Sequence, residues 1–232
     1  MSTERDRTGR FASPPCMAGE VAPDYFDPLG VDPEQARDVA RWRRAERIRL
    51  AGLREGLGQN GRAQISAQIS RNLENLLAER GVGQGTVVSG YWPIRGEPDL
   101  RPLLAQLHRT GITIALPVVE TRAAPLIFRL WTPETRMVRG DWNIPVPPPE
   151  ARVLTPDVTL APCLGWDGGC YRLGWGGGYF DRTLAALTRR PTGIGIALAA
   201  ARLPTIYPQP HDIPLDMIVT EDGVSARRSD QS

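Results

Sequence analysis

A chain that places four glycines in five positions, Gly174-Trp175-Gly176-Gly177-Gly178, has little freedom in what it builds there. Without Cβ atoms, such a run reaches backbone angles closed to other residues and lets a ligand approach the main chain. A plain turn needs only one or two glycines. The residues that follow, Tyr179-Phe180-Asp181-Arg182, have helical character. A helix beginning near Gly178 turns its free first-turn amides and the positive end of its dipole towards the loop, which favours an anion such as phosphate. Arg172 and Arg182 flank the run with planar donors, and Asp181 adds a hard carboxylate oxygen of the kind magnesium accepts.

The standard nucleotide loops do not fit. No Lys-Ser or Lys-Thr follows the glycines, and Tyr179 stands where a dinucleotide fingerprint has its last glycine. All 28 basic residues are arginines, which excludes Schiff-base or lysine-nucleophile chemistry. Two histidines, His108 and His211, cannot build a multi-histidine metal site, and Cys16, Cys163 and Cys170 form no Cys-x-x-Cys pair. A net charge of +2 sets no demand for nucleic acid or an anionic membrane. The sequence contains neither an apolar run of membrane-spanning length nor a signal core, so a soluble, cytoplasmic protein is expected.

Along the 232 residues, 1–31 read as a polar extension, 32–225 as one α/β domain and 226–232 as a tail. Asp32-Pro33-Glu34-Gln35 combines helix-start signals, and the helix it opens is expected to end at Gly56 and Gly58. Its apolar stripe is Val39, Trp42, Ile48, Leu53 and Leu57; Arg43 and Arg47, four apart, share one face and can grip a polyphosphate. A second helix is expected over about 62–80. Strands are expected at Thr86–Tyr91, Ile112–Pro117, Leu126–Trp131, Val158–Pro162, Gly193–Leu198 and, last, Met217–Thr220. A crossover helix over Leu100–Arg109 makes a β-α-β order, which implies a largely parallel sheet in a three-layer domain. His108 falls near the end of that helix and is given no catalytic role. The Trp142–Pro149 stretch, with its triple proline, reads as a surface connector. Cys163 is expected to pack rather than act with His211 as a nucleophile pair, and Asp167 either caps a turn, orients Arg172 or binds metal.

The Arg172–Arg182 stretch resembles the R-L-G-Y-G-G-G-Y-Y-D-R signature of the 5-formyltetrahydrofolate cyclo-ligase family. Weaker motifs appear in that family's order. Arg43-Arg44-Ala45-Glu46-Arg47 falls on its ATP-contacting K-x-x-L-R element, Tyr91 to Glu97 on Y-x-P-x-x-x-E, and Asp212 to Glu221 on its closing motif. The resemblance covers about 40–222 and implies a Rossmann-like architecture related to sugar-phosphate isomerases and CoA transferases. It also implies a reaction: MgATP phosphorylates the formyl oxygen of 5-formyltetrahydrofolate, nitrogen 10 attacks, and phosphate leaves to give 5,10-methenyltetrahydrofolate.

Carried onto this sequence, the resemblance gives Arg172 and Asp181 catalytic roles. It assigns Arg43, Arg47, Arg172, Leu173, Gly174, Trp175, Gly176, Gly177, Gly178, Tyr179 and Phe180 to ATP. Trp92, Glu97, Trp175, Gly176, Gly177, Gly178 and Tyr179 would meet the folate, and Asp181 with Asp212 would hold Mg2+. Aromatic faces suit a flat pterin, and a carboxylate suits its amino-pyrimidine donors. Two departures stand out: Cys170 replaces a usual glycine, and Ala199-Ala200-Ala201 lacks a usual glutamine. An active ligase and a paralogue that binds nucleotide or folate without turnover both remain open. The expected partner is a small-molecule folate, polyglutamylated or not, with no nucleic acid and no membrane. The sequence does not set the oligomeric state, though a monomer is favoured.

Overall fold

A computed structural model describes residues 32–228. The 1–31 extension, Cys16 within it and the last four residues of the tail lie outside the described residues. Helix α1 runs over Pro33–Glu55, and Asp32 caps it by accepting the Glu34 amide at 2.9 Å. Its buried positions are Val39, Arg43, Leu50 and Arg54, a single face at helical spacing. Two of those four are arginines, whereas Ile48, assigned to the apolar stripe, is 69% exposed. The burial of an arginine depends on a partner elsewhere in the chain, so helical periodicity alone puts the guanidiniums on the wrong side. Helix α2, Gly58–Glu79, follows after a short break at Gly56-Leu57 and starts earlier than expected.

The sheet is built on β1 (Val87–Ser89), β2 (Thr113–Val118), β7 (Val158–Pro162), β10 (Thr192–Ile196) and β11 (Met217–Thr220), which are parallel neighbours in the order β11-β10-β7-β1-β2. Helix α3, Arg101–Arg109, is the β1-to-β2 crossover, with Val87 in register with Thr113. Antiparallel strands close both sides: β3 (Ile127–Trp131) and then β6 (Val153–Leu154) beyond β2, and β12 (Gly223–Arg227) beyond β11. Met217–Thr220 is therefore not the last strand. A tight reversal at Glu221-Asp222 returns the chain along the edge, past residue 225.

Period-two alternation divides the interior. Leu160, Ile194, Ile196, Met217 and Val219 face a cluster with Leu73, Leu76 and Leu77 of α2 and Leu103, Leu104 and Leu107 of α3. Ala161 and Ile218 face the opposite cluster, with Leu50 of α1 and with Leu184 of α4 (Tyr179–Ala186), the helix that follows the glycine run. Helices thus cover both faces. On β10 the second face is bare: a Cβ at Gly195 would lie 2.9 Å from both Cys163 Sγ and Leu215 Cδ1. The loop before β11 therefore docks directly on the strand. Among the described residues no helix is long and apolar enough to cross a membrane.

Candidate active site

The parallel strands β1, β2 and β7 all deliver their carboxyl ends to one cleft of about 620 Å³, where open α/β sheets bind ligands. After β7 the chain makes a small hairpin, β8 (Gly165–Trp166) against β9 (Arg172–Leu173), and enters the glycine run. Asp167 organises this hairpin. Its Oδ1 accepts the Gly169 and Tyr171 amides at 3.0 and 3.2 Å, and its Oδ2 accepts the Ile206 amide at 2.9 Å. Asp167 is a turn cap here, outside the cleft lining, and among the described residues it makes no ion pair with Arg172. Cys170 has φ +61, the left-handed region where glycine is favoured, and its side chain is buried in the core away from the cleft.

The run itself has the geometry its composition demands. Gly176 has φ +101 and lies against the Arg47 guanidinium, while Gly178 has φ +61 and starts α4. Among the described residues the Gly176, Gly177 and Gly178 amides have no protein acceptor, which leaves them for an anion. Arg47 donates its Nε to Gly174 O at 2.7 Å, so the rest of its guanidinium remains at the cleft. Burial, and then the neighbouring Arg43 charge, lowers its pKa. Arg172 lies over the Phe180 ring, 5.1 Å from its centroid, and 2.8 Å from Asp181 Oδ2. Arg182 does not join the cradle. It bonds Gly177 O and stacks 5.0 Å over Tyr179, bracing the run from outside the cleft.

Arg43, read as half of a phosphate grip with Arg47, is engaged by the protein in this structure. Its Nε and NH2 donate to the Ile206 and Tyr207 carbonyls at 3.0 and 2.9 Å, and NH1 and NH2 both engage the Asp212 carboxylate. It lines the cleft but is occupied with holding the loop before β11. The Ile213 amide reaches Asp181 Oδ1 at 3.2 Å, which joins that loop to α4 and sets both aspartates on the cleft wall. The described residues contain no cluster of three or more potential metal ligands. The donor set fits magnesium, which takes one or two carboxylates and completes its shell with water and phosphate oxygens. In this structure each carboxylate is neutralised by an arginine.

On the other side of the cleft Glu97 is 8% exposed, its Oε1 accepting Trp175 Nε1–H at 2.9 Å and its Oε2 the Ile94 amide at 3.0 Å. Burial raises its pKa, although these two hydrogen bonds and the Arg54 and Arg95 charges oppose the shift. Arg95 covers the Trp175 ring at 4.8 Å, and Trp92 is backed by Arg101 at 4.9 Å. Tyr179 receives the Ala123 amide on its hydroxyl and meets Trp142 edge-on at 5.6 Å.

Trp142 corrects the surface-connector reading. Strands β4 (Val138–Arg139) and β5 (Pro145–Val146) form a hairpin at the cleft mouth, with Trp142 at its tip, 63% exposed. Trp142 and Asn143 have φ +52 and +62, and the asparagine, tolerant of that region, was the one local sign of a hairpin turn. Cys163 is fully buried and its thiol is pushed up to about 12 by burial, which removes it as a nucleophile. Ala199–Ala201 does not line the cleft; Glu221 reaches it instead, accepting the Ala199 amide at 3.0 Å.

Comparison with known proteins agrees with this geometry. The profile of the 5-formyltetrahydrofolate cyclo-ligase family matches residues 39–221. The chain is 32% identical over 190 residues to the 5-formyltetrahydrofolate cyclo-ligase of Mycolicibacterium smegmatis, covering 76% of this chain and 96% of that one. It is 33% identical over 143 residues to the Escherichia coli K12 enzyme of the same name, covering 59% of this chain and 79% of that protein. The Aquifex aeolicus 5,10-methenyltetrahydrofolate synthetase superposes with a TM-score of 0.69 at 27% identity, over 82% of this chain and 95% of its own. The Mycoplasma pneumoniae synthetase shares the fold, with a TM-score of 0.63 at 24% identity over 77% of this chain and 98% of its own. With the motifs in order, the profile spanning the domain and a relative matched over nearly its full length, the chain belongs to the 5-formyltetrahydrofolate cyclo-ligase family.

Proposed function

We propose that this chain closes 5-formyltetrahydrofolate to 5,10-methenyltetrahydrofolate at the expense of ATP, releasing ADP and phosphate. One observation carries the reading: the Arg172–Asp181 segment belongs to both halves of a single cleft. Its glycine amides and Arg172 face where phosphates would lie, while Trp175 within it is hydrogen-bonded to Glu97. Nucleotide and pterin sites on one short run of backbone would bring the γ-phosphate and the formyl oxygen together, and phosphoryl transfer mainly requires positioning and charge neutralisation.

In this reading the Gly176–Gly178 amides, Arg47 and Arg172 bind the triphosphate and stabilise charge on the transferring oxygens. Trp92, Trp175 and Tyr179 form aromatic walls for the pterin, and Glu97 accepts from its amino-pyrimidine edge on lone pairs left free by Trp175 and Ile94. The formyl oxygen takes the γ-phosphoryl group and ADP departs. Nitrogen 10 then attacks the formyl carbon and loses its proton, and the carbon–oxygen bond breaks to release phosphate. Asp181 and Asp212 would hold magnesium, which supplies charge neutralisation to the phosphate oxygens when bound.

The test is to mix purified protein with MgATP and 5-formyltetrahydrofolate and follow the near-ultraviolet absorbance of the methenyl product, with Asp181→Ala as control. Product that requires ATP, magnesium and Asp181 is the expected result. Thermal stabilisation by ATP without product would instead indicate a binding protein that does not turn over.

A further inference from the structure

Arg54 is a buried arginine that the chemistry above does not use. It is 1% exposed, and its only hydrogen bond runs from NH2 to the Cys163 carbonyl at 2.8 Å; Nε and NH1 have no acceptor among the described residues. Burying a charged group with most of its donors idle is costly unless a nearby charge compensates. No carboxylate reaches Arg54 as an ion pair among the described residues, but it lies behind the Glu97–Trp175 pair, with its guanidinium carbon 6.0 Å from the Trp175 ring centroid. Its stem is equally placed. Gly96, the residue before Glu97, has φ +72, and a Cβ there would sit 3.3 Å from Arg54 Cγ, so the loop crosses directly over the arginine.

We propose that Arg54 is a positioning residue for the folate side of the cleft: its stem sets the path of the Gly96-Glu97 backbone, and its guanidinium backs the Glu97–Trp175 pair that would meet the substrate. The inference rests on the proposed reading that Glu97 meets the folate. The groups facing Glu97 leave the role to few candidates. Tyr91, after β1, and Cys163, after β7, are both fully buried, with acidities pushed up by burial, and they stay neutral. Asp99, on the same loop, is tied to Arg101. Arg95 contributes charge from the solvent side, so Arg54 is the cation supplied from the interior, reaching Glu97 from a different element, α1. Its charge opposes the upward shift that burial gives the carboxyl group.

The experiment measures kcat and KM for both substrates across pH in Arg54→Gln, Arg54→Lys and Glu97→Gln proteins, with thermal midpoints. Glutamine keeps a donor for the Cys163 carbonyl and removes the charge. Arg54→Gln is expected to raise the folate KM about tenfold on the acidic limb of the profile, with recovery towards higher pH, and to leave the ATP KM unchanged. Arg54→Lys should retain the wild-type acidic limb, and Glu97→Gln should be impaired at every pH. If Arg54→Gln does not fold, Arg54→Met, of similar volume, takes its place. An unchanged acidic limb in the neutral variant, or equal losses for both substrates at all pH values, overturns the inference while the folate reading stands. Wild-type folate binding in Glu97→Gln overturns the folate reading, and this inference with it.

Discussion

Arg43 and Asp212 lie 169 positions apart, yet the guanidinium engages both carboxylate oxygens, with the two side chains 10% and 9% exposed. The pair staples α1 to the loop before β11. Removing one partner strands the other as a buried charge, so Arg43→Ala should lose about 3–5 kcal/mol of stability. A lower urea midpoint with unchanged slope is the expected result.

The same pair predicts how stability depends on acid. Burial acts to raise the Asp212 pKa, but hydrogen bonds from Arg43 and the Gln209 amide outweigh it and hold the group below its usual 3.8. A depressed folded-state pKa gives stability that is present above the unfolded value and lost as pH falls through the folded one. The thermal midpoint of the native protein should therefore fall more steeply below about pH 4 than that of Asp212→Asn. Parallel midpoint curves for the two proteins would count against the contribution.

Arg172, proposed above to bind phosphate, lines the cleft and also neutralises Asp181. Losing a charge-assisted donor should weaken ATP binding roughly ten- to a hundredfold in Arg172→Ala. Titration calorimetry with and without magnesium separates the two roles. Arg172→Ala should be impaired in both conditions, whereas Asp181→Asn should lose mainly the magnesium-dependent part.

Trp142 contributes from the cleft mouth with little buried area of its own. Trp142→Ala should raise the folate KM about three- to tenfold, the worth of one aromatic contact, and leave the ATP KM and the thermal midpoint close to wild type. A KM for folate equal to that of the native protein would show that the hairpin tip does not touch the substrate.

The thiols should be inert. Burial pushes Cys163 up to about 12 and Cys170 up to about 11, and both side chains are inaccessible. In a Cys16→Ser protein, iodoacetamide at neutral pH should label nothing until denaturant is added, as mass spectrometry would read directly.

What the sequence disclosed was local chemistry. The Asp32 cap, the crossover order and the glycine run each rest on residues adjacent in the chain, and the sheet and the Arg172–Asp181 cradle follow from them. What it hid depends on partners far away. Nothing near Arg43 or Arg54 in the chain announces the partners folded against them, Asp212 and the Cys163 carbonyl. Arg182 looks like a phosphate ligand until Tyr179 offers its ring. The Trp142 hairpin is only two residues per strand, too short for alternation to register, and β12 is a short edge strand, Gly-Val-Ser-Ala-Arg, with no fully buried residue.

The bare face of β10 gives this protein a remote point of failure. Gly195 touches no residue proposed to bind a ligand, yet an alanine there would push against Cys163, Leu215 and Ile218 at once. Leu215 is three residues from Asp212 on the same loop, so the displacement would be passed on to the carboxylate that Arg43 holds. A one-carbon change in the middle of the sheet would thus read in an assay as a nucleotide-site defect. Variants of this protein are better ranked by what a new atom collides with than by distance from the cleft.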